Sequence, residues 1–298
     1  MRIACVGEAM VELALEPVPS TWARVGFAGD TLNTAIYLKR AAPSLEISFV
    51  TRLGRDAFSA RMLDFIAAEG VSTADITFSE TRRPGLYAIT TDPDGERSFT
   101  YWRESSAARE MFQTAKSVSF DALAGYDLVY LSAITLAILP DRVLSELFNW
   151  VAGFRAKGGQ IAFDSNYRPA LWPDAATARR VIGRMWELCD IALPSIDDEM
   201  AIFGDQDAGQ VLARLRRCGV RSGVLKRGAK GPVALAGGIE AAPFQPAPAV
   251  IDTTAAGDSF NAGYLADRLT GASEAEALQA GHRLAARVVG VKGAIAPR

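Results

Sequence analysis

The residues best suited to chemistry lie near the C-terminus, in the run Val250–Gly263 (VIDTTAAGDSFNAG). Three small residues, Ala255, Ala256 and Gly257, stand at the entrance to a predicted amphipathic helix. Such a turn exposes unpaired backbone N–H groups at the positive end of a helix, which suits an anionic phosphate. Asp258 follows directly, where a carboxylate can accept a proton from an attacking hydroxyl. The alternative is that Asp258 is an ordinary helix N-cap.

A second candidate run is Ala28–Ala35 (AGDTLNTA), near the N-terminus. It is typical of a helix that begins beside a glycine, and it brings Asp30 and Asn33 into the first turn. From the residues alone, Asp30 is either the cap of this helix or an acceptor for a ligand hydroxyl, and the two roles are compatible.

A third run, Lys226–Gly231 (KRGAKG), follows a predicted strand. Its spacing is not the G-x-x-x-x-G-K-[ST] of a Walker A loop. On its own, a basic turn rich in glycine predicts only a connection between two strands.

The chain around these runs alternates short apolar segments with longer amphipathic ones, and several apolar runs are continuous, as in fully buried parallel strands. The predicted strands are Ile3–Gly7, Ile47–Val50, Leu128–Leu131, Gln160–Asp164, Asp190–Leu193, Ser222–Lys226 and Pro232–Ala236. The predicted helices are Thr31–Ala42, Ala57–Glu69, Asp141–Lys157, Ala175–Leu188, Asp207–Cys218, Asp258–Leu269 and Glu274–Val289. This alternation predicts an α/β fold with a mostly parallel sheet flanked by helices.

One region departs from this pattern. Gly85–Thr91 and Arg97–Trp102 alternate in polarity and flank the turn sequence Asp92–Gly95, which predicts a β-hairpin outside the main sheet. We expect a further strand from residues 10–28 to join it. The chain is therefore predicted to be one domain of 298 residues, with a small β lid formed by about 10–28 and 84–103.

Composition narrows the classes of function. Lys plus Arg (32) nearly balance Asp plus Glu (34) without a block of like charge, which argues against binding to nucleic acid or to a membrane surface. The first apolar run is interrupted by Glu8 and Glu12, so we expect neither a signal peptide nor a membrane span. Three scattered cysteines predict buried, reduced thiols and a cytoplasmic protein. The single histidine, His282, excludes a poly-His metal site and is expected to pack in the last helix.

The run DTTAAGDSFNAG closely resembles the C-terminal signature of the PfkB family of ribokinase-like carbohydrate kinases, D-T-x-G-A-G-D, and Ala28–Ala35 resembles its N-terminal signature, G-G-x-x-x-N-x-A. The resemblance implies a ribokinase-like three-layer fold. It also implies that Asp258 is the catalytic base and that Ala255 to Asp258 form the anion hole. Ala255 replaces the usual glycine, which is tolerable if its φ is negative and costly otherwise. Asp252 would fix a local cation or the loop geometry.

The same resemblance assigns the binding residues and the cofactors, ATP and Mg²⁺. The expected contacts with the sugar are Gly29, Asp30 and Asn33, and those with ATP are Lys226, Gly228, Gly231, Ala256 and Gly257. Family members usually organise Mg²⁺ with an N-x-x-E motif, where this chain has Ser195 and Asp198. The acidic run Asp197–Glu199 is alternatively the first turn of a helix, where the dipole favours carboxylates. The metal ligand is therefore left open.

Four further runs resemble the 2-keto-3-deoxygluconate kinases within that family; they are Arg83–Tyr87, Gly95–Arg103, Leu131–Leu139 and Phe163–Trp172. By that resemblance Tyr87, Tyr101, Arg103 and Arg168 surround the acceptor. Because Arg103 follows Tyr101 by two positions on a β segment, both side chains point to one face, and an arginine fork there suits a carboxylate. The expected reaction is phosphorylation of the 6-hydroxyl of this sugar acid by ATP.

Several alternatives stay open at this point. Arg103 is alternatively a solvent-facing strand residue, and Arg168 a structural ion pair or a contact of the ATP phosphates. Asn166 is assigned to the nucleotide, and Arg168 is shared between nucleotide and acceptor. The rival functions are a fructokinase or other neutral-sugar kinase, and a non-catalytic sensor of sugar or nucleotide. The resemblance also predicts a homo-oligomer, a dimer or larger, formed through the lid.

Overall fold

The computed structural model describes residues 1–16, 20–91, 97–237, 239 and 241–298, so the predicted turn Asp92–Gly95 lies outside the described residues. The centre is a sheet of eight strands, here called the main sheet. Its strands are β1 (Arg2–Val6), β4 (Glu46–Leu53), β5 (Ile76–Phe78), β8 (Leu128–Ser132), β9 (Gln160–Asp164), β10 (Ile191–Ala192), β11 (Ser222–Leu225) and β12 (Val233–Ala234). They follow the order β12-β11-β10-β9-β8-β1-β4-β5, and only the β11–β12 pair is antiparallel within the described residues.

Helices cover both faces of the main sheet. One face packs against α1 (Asp30–Ala41), α2 (Ala57–Ala68), α9 (Ala256–Leu269) and α10 (Glu274–Val288). The other packs against α3 (Phe120–Leu123), α4 (Ala133–Ala137), α5 (Asp141–Ala156), α6 (Ala175–Trp186), α7 (Ile196–Phe203) and α8 (Ala208–Arg217). In α6 the buried residues include Ala178, Val181, Ile182 and Met185, the spacing of one helix face, and Asp174 caps its first turn.

A second sheet of four strands, here called the lid sheet, has the order β3-β2-β6-β7. Its strands are β2 (Met10–Leu15), β3 (Ala23–Ala28), β6 (Gly85–Thr91) and β7 (Arg97–Trp102). The predicted hairpin is therefore present, but the expectation of one strand within 10–28 was wrong. That segment forms two antiparallel strands, because two alternating runs are separated by a sequence that contains Pro17 and Pro19.

Each predicted strand and helix of the main body is present, with ends that differ by a few residues. The pattern missed β5, α3 and α4, which are short, and gave α7 only as the alternative for the acidic run Asp197–Glu199. Cys5 and Cys189 are buried free thiols as expected, whereas Cys218 is only half-buried. His282 lies in α10, where its ring packs on Phe244. No helix in the described part of the chain has the length and apolar character needed to cross a bilayer.

The strand order places a crevice beside β1. The chain runs from β1 to β4 and β5 on one side, and from β8 through β12 on the other. In open α/β sheets, ligands bind outside the carboxyl ends of the strands where the order reverses in this way. Glu8 follows β1, Asp164 ends β9 and Lys226 follows β11, so three charged side chains reach this edge.

Candidate active site

The N-terminus of α9 opens with a strained residue. Ala255 precedes the helix with φ 60° and ψ 14°. Its φ is therefore positive, the costly case for an alanine in place of the usual glycine. A left-handed alanine costs about 1–2 kcal/mol, and such strain persists only where neighbouring contacts impose it. One such contact is the hydrogen bond from the N–H of Ser259 to the carbonyl of Ala255, at 2.8 Å.

This turn has fewer unpaired backbone N–H groups than the resemblance implied. The N–H of Ala256 donates to the carbonyl of Thr253 at 3.2 Å and is therefore occupied. Among the described residues, the N–H groups of Gly257 and Asp258 have no backbone acceptor. These two donors stand at the positive end of a 14-residue helix, a position that favours an anion.

Asp258 is the third residue of α9, not its N-cap, so the capping alternative was wrong. The side chain is buried, and its Oδ2 accepts a hydrogen bond from Nδ2 of Asn33 at 2.8 Å. Burial, reinforced by the charge of Asp30, raises the pKa of Asp258 to about 7. A carboxylate with a pKa near the working pH is well matched to general-base catalysis.

Helix α1 brings the first sequence run to the same place. Gly29 is the cap residue, and a side chain there would lie 2.1 Å from the carbonyl oxygen of Glu8, so only glycine allows this close approach. Asp30 makes no capping hydrogen bond, and the alternative that it caps α1 was wrong. Its carboxylate instead accepts from Nδ2 of Asn166 at 2.9 Å.

A buried polar network supports the site from the sheet side. Nζ of Lys226 donates to Asp164 at 2.7 Å and to Asn261 at 3.1 Å. Nδ2 of Asn261 donates in turn to Asp164 and, at 3.0 Å, to the hydroxyl of Tyr130. The Tyr130 hydroxyl also accepts from Thr34 of α1 at 3.3 Å. Strands β8, β9 and β11 are thus joined to α1 and α9 by hydrogen bonds.

The glycines at the start of α9 and in the basic run Lys226–Gly231 have different surroundings. A side chain on Gly257 would lie 3.7 Å from Nζ of Lys226, which places the ammonium group beside the open N-terminus of α9. Gly228 has φ 55° and open space around it, as a loop beside a ligand would have. Gly231 is explained by packing, because a side chain there would meet the ring of Phe244 at 2.6 Å.

The lid sheet contributes a row of polar and aromatic side chains. Glu12 of β2, Tyr87 of β6 and Tyr101 of β7 are directly paired across the strands. The Tyr87 hydroxyl donates to Glu12, and the rings of Tyr87 and Tyr101 lie 5.7 Å apart. Tyr87 is 5% exposed and Tyr101 44%, so Tyr101 presents the accessible hydroxyl of this row.

Arg103 is neither solvent-facing nor free. It lies just beyond β7 and is 6% exposed, and its Nε and Nη2 both bond to one oxygen of Glu8. The solvent-facing alternative was therefore wrong, and the fork is already engaged by a carboxylate. The guanidinium also lies 5.9 Å from the centre of the Tyr101 ring, so the two side chains share a face as the spacing predicted. Its Nη1 lies outside the ion pair with Glu8.

The remaining predicted residues lie on the β9 and β10 side. Asn166, which was assigned to the nucleotide, donates to Asp30, which was expected to contact the sugar. Arg168 is exposed and donates to the carbonyl of Tyr167, and it forms no ion pair with a described residue. Burial and the charge of Asp164 raise the pKa of Asp198, whereas the hydrogen bond with Ser195 and the charges of Arg168 and Lys226 lower it.

The acidic run in α7 divides between two environments. Ser195 caps the helix by accepting from the N–H of Asp198 at 3.3 Å. Asp197 is exposed, and Glu199 is fully buried in an ion pair with Arg214 at 2.7 Å. All three carboxylates lie in the first turn of α7, so the alternative that this run begins a helix is confirmed.

The loop before α9 is fixed by Asp252. Its carboxylate accepts from the N–H of Thr254 at 2.9 Å and from the N–H of Gly293 at 2.6 Å. These contacts support the loop-geometry alternative for this residue.

Sequence reasoning missed six residues of the site: Glu8, Glu12, Thr34, Tyr130, Asp164 and Asn261. Two signals were present. Glu8 and Glu12 interrupt the first apolar run, and Asp164 is a charged residue directly after the buried apolar residues of β9. The sequence did not indicate a role for Tyr130, because a tyrosine within an apolar strand is usually part of the hydrophobic core.

Comparison with known proteins agrees with this geometry. The pfkB family carbohydrate kinase model matches residues 1–298. The chain is 44% identical to the 2-dehydro-3-deoxygluconokinase of Escherichia coli K12 over 304 residues, covering 100% of this chain and 97% of that protein. It is 41% identical to the enzyme of the same name from Dickeya dadantii, covering 99% and 97%. A crystal structure of fructokinase with bound ATP from Xylella fastidiosa superimposes with a TM-score of 0.80 at 21% identity, covering 98% and 93%.

The predicted family and the predicted three-layer fold are both confirmed. The family model matches the whole chain, and a buried aspartate lies at the N-terminus of α9. The chain therefore belongs to the pfkB family of carbohydrate kinases.

Proposed function

We propose that this chain is a 2-dehydro-3-deoxygluconokinase, which transfers the γ-phosphoryl group of ATP to the 6-hydroxyl of 2-keto-3-deoxygluconate. The observation that carries the kinase chemistry is the Asn33–Asp258 hydrogen bond of 2.8 Å, which joins the sugar-side helix α1 to the phosphate-side helix α9. The choice of acceptor is supported by relatives of that name at 41–44% identity over almost the whole chain.

The reaction needs a base, a site for developing charge and an oriented hydroxyl. Asp258 takes the proton of the attacking hydroxyl, and Asn33 holds the carboxylate in place. The N–H groups of Gly257 and Asp258 face the oxygens of the transferring phosphoryl group, where charge accumulates. Lys226, beside Gly257, adds a positive charge at the same point.

The residues present fit ATP and Mg²⁺. Gly257 leaves open the space that a side chain would fill beside Lys226, and Gly228 lies in open space along the same turn. Bound Mg²⁺ would neutralise phosphate charge and orient the γ-phosphoryl group. Asp164 and Asp198 are the carboxylates on that side, and Asp198 is the one not paired with Lys226. Asn166 and Arg168 lie at the boundary between nucleotide and acceptor.

The lid sheet would orient the acceptor. Asp30 and Tyr101 offer an acceptor and a donor for sugar hydroxyls, since both are partly exposed. An acceptor carboxylate would meet Nη1 of Arg103, with Glu8 keeping the fork in a fixed plane. A neutral sugar gains little from this arginine, which argues against a fructokinase. One kinase domain with a lid, a cytoplasmic location and a homo-oligomer formed through the lid remain parts of this proposal.

The first experiment is ADP release with Mg-ATP and 2-keto-3-deoxygluconate, alongside fructose, ribose and adenosine. Turnover with the sugar acid alone is the expected result. Turnover with fructose would contradict the proposal that Arg103 recognises a carboxylate of the acceptor, but it would be compatible with Asp258 as the base. Absence of ADP production with every acceptor would favour the non-catalytic sensor.

The matched variants are Arg103→Lys and Arg103→Met. Both should raise KM for the sugar acid much more than KM for ATP, because Nη1 of Arg103 would contact the acceptor and not the nucleotide. Since Arg103→Met leaves Glu8 buried without its partner, Arg103→Met combined with Glu8→Gln is the control for loss of folding. An unchanged KM for the acid in Arg103→Lys would contradict the proposed role.

A further inference from the structure

The lid sheet touches the loop before α9 through Arg97, the first residue of β7. Its guanidinium pairs with the carboxylate of Asp252, and its Nη1 donates to the hydroxyl of Thr254 at 3.2 Å. The side chain of Asp252 is 2% exposed and that of Arg97 is 22% exposed, so the contact is shielded from water and salt. A residue of one sheet thus binds two positions in a loop that belongs to the other half of the site.

This loop leads into the turn that opens α9. Asp252 and Thr254 lie immediately before Ala255, whose left-handed φ of 60° turns the chain into α9. Strained backbone of this kind relaxes unless the surrounding contacts hold it. Asp252 receives such contacts from inside the loop and from Gly293, and Arg97 supplies the charged contact from outside.

We propose that Arg97 is a positioning residue for phosphoryl transfer. It holds Asp252 and Thr254 so that the strained turn at Ala255 persists and the N–H groups of Gly257 and Asp258 point at the transferring group. Arg97 lies on the same strand, β7, as Tyr101. Closure of the lid sheet over the acceptor is therefore coupled to formation of the anion hole. The inference rests on the proposed function only for the identity of that acceptor.

The chemistry of the contact favours arginine over lysine. A guanidinium presents several donors in a fixed plane and can bridge a carboxylate and a hydroxyl at once, whereas an ammonium group is a point charge on a flexible stem. Arg97→Lys should therefore keep Asp252 neutralised and the protein folded, but release Thr254. Arg97→Ala removes both contacts.

The kinetic test compares these variants with Arg24→Ala. Arg24 is an exposed residue of β3, the opposite edge strand of the lid sheet, and serves as the matched control. We expect kcat to fall about 10²-fold in Arg97→Ala, since a displacement near 1 Å has that effect, and about tenfold in Arg97→Lys. KM for both substrates should change little, and Arg24→Ala should keep the wild-type kcat. Guanidinium ion at tens of millimolar should restore part of the kcat of Arg97→Ala and have no such effect on Arg24→Ala.

The second readout does not depend on activity. Amide hydrogen exchange over residues 250–260 should be faster in Arg97→Ala than in wild-type protein, and unchanged in Arg24→Ala. The inference is overturned if Arg97→Ala keeps its kcat, or if kcat is lost with no change in exchange and no rescue by guanidinium. If the wild-type protein proves inactive on the sugar acid while exchange responds as expected, the proposed function fails and the role of Arg97 stands.

Discussion

Replacing Asp258 with asparagine should greatly slow turnover and stabilise the protein at the same time. Asp258 is 8% exposed, and the pKa of its carboxyl group is raised from 3.8 to about 7, chiefly by burial. Between those two pH values the folded chain binds a proton that the unfolded chain has lost. The free energy of unfolding therefore falls as pH rises from about 4 to about 7, and it stays low above that.

The size of this effect follows from the pKa. A rise from 3.8 to about 7 corresponds to at most about 4 kcal/mol of unfavourable charge burial at pH 8. Asparagine has no charge to bury, and its side-chain oxygen can still accept the hydrogen bond from Asn33. A chain of this length gains about 2 °C in Tm per kcal/mol, so the variant should melt several degrees above wild type at pH 8. The difference should shrink towards pH 5.

The assay is thermal unfolding at pH 5, 6, 7 and 8, with Asp197→Asn, an exposed carboxylate in α7, as the control for a general charge effect. In the wild-type enzyme, kcat/KM should fall with unit slope below about pH 7, because the base must be unprotonated. The Asp258→Asn variant should lose about 10²–10⁴-fold in kcat. A variant that melts at or below wild type at pH 8, or a Tm difference independent of pH, would refute the reasoning.

Three further changes test the surroundings of this base. Asn33→Ala removes a hydrogen bond that lowers the pKa of Asp258, so the acidic limb of the rate profile should move to higher pH; an unmoved limb would contradict the assignment. Lys226→Met leaves the buried Asp164 carboxylate without its partner, so the free energy of unfolding measured in urea should fall by about 3–5 kcal/mol. The double variant Lys226→Met, Asp164→Asn should regain most of that stability and remain inactive. Ala255→Gly removes a left-handed alanine and should raise the free energy of unfolding by about 1 kcal/mol with kcat retained; a loss of stability in the same titration would show that the methyl group packs favourably.

The main body of the fold could be predicted because its signals are local. The continuous apolar run of β8 predicts a buried strand, and the apolar residues on one face of α6 predict a helix. Each pattern is complete within a dozen residues. The lid sheet was only half predictable. The hairpin of β6 and β7 has its own turn sequence, but the pairing of β2 with β6 joins segments far apart in the chain, and no local pattern reports it.

The site shows the same division. Asp258 and Gly29 were found because each belongs to a short signature with a backbone requirement of its own. The partner of Arg103 was not found, because an ion pair with Glu8 depends on how β1 and β7 meet in space. The left-handed φ of Ala255 was also beyond the sequence, since a strained backbone is set by the contacts around it and alanine normally avoids it.

The lid sheet is completed late when the chain folds. Glu12 and Tyr87, neighbours on β2 and β6, are 75 residues apart, and the intervening chain contains α1, β4 and α2. Until β6 is available, β2 and β3 can form only a two-stranded hairpin, which is marginal in water. Pairings between such distant segments carry a loop-closure cost and form slowly. Refolding protein should therefore recover its helical circular dichroism before it recovers the ability to bind its acceptor.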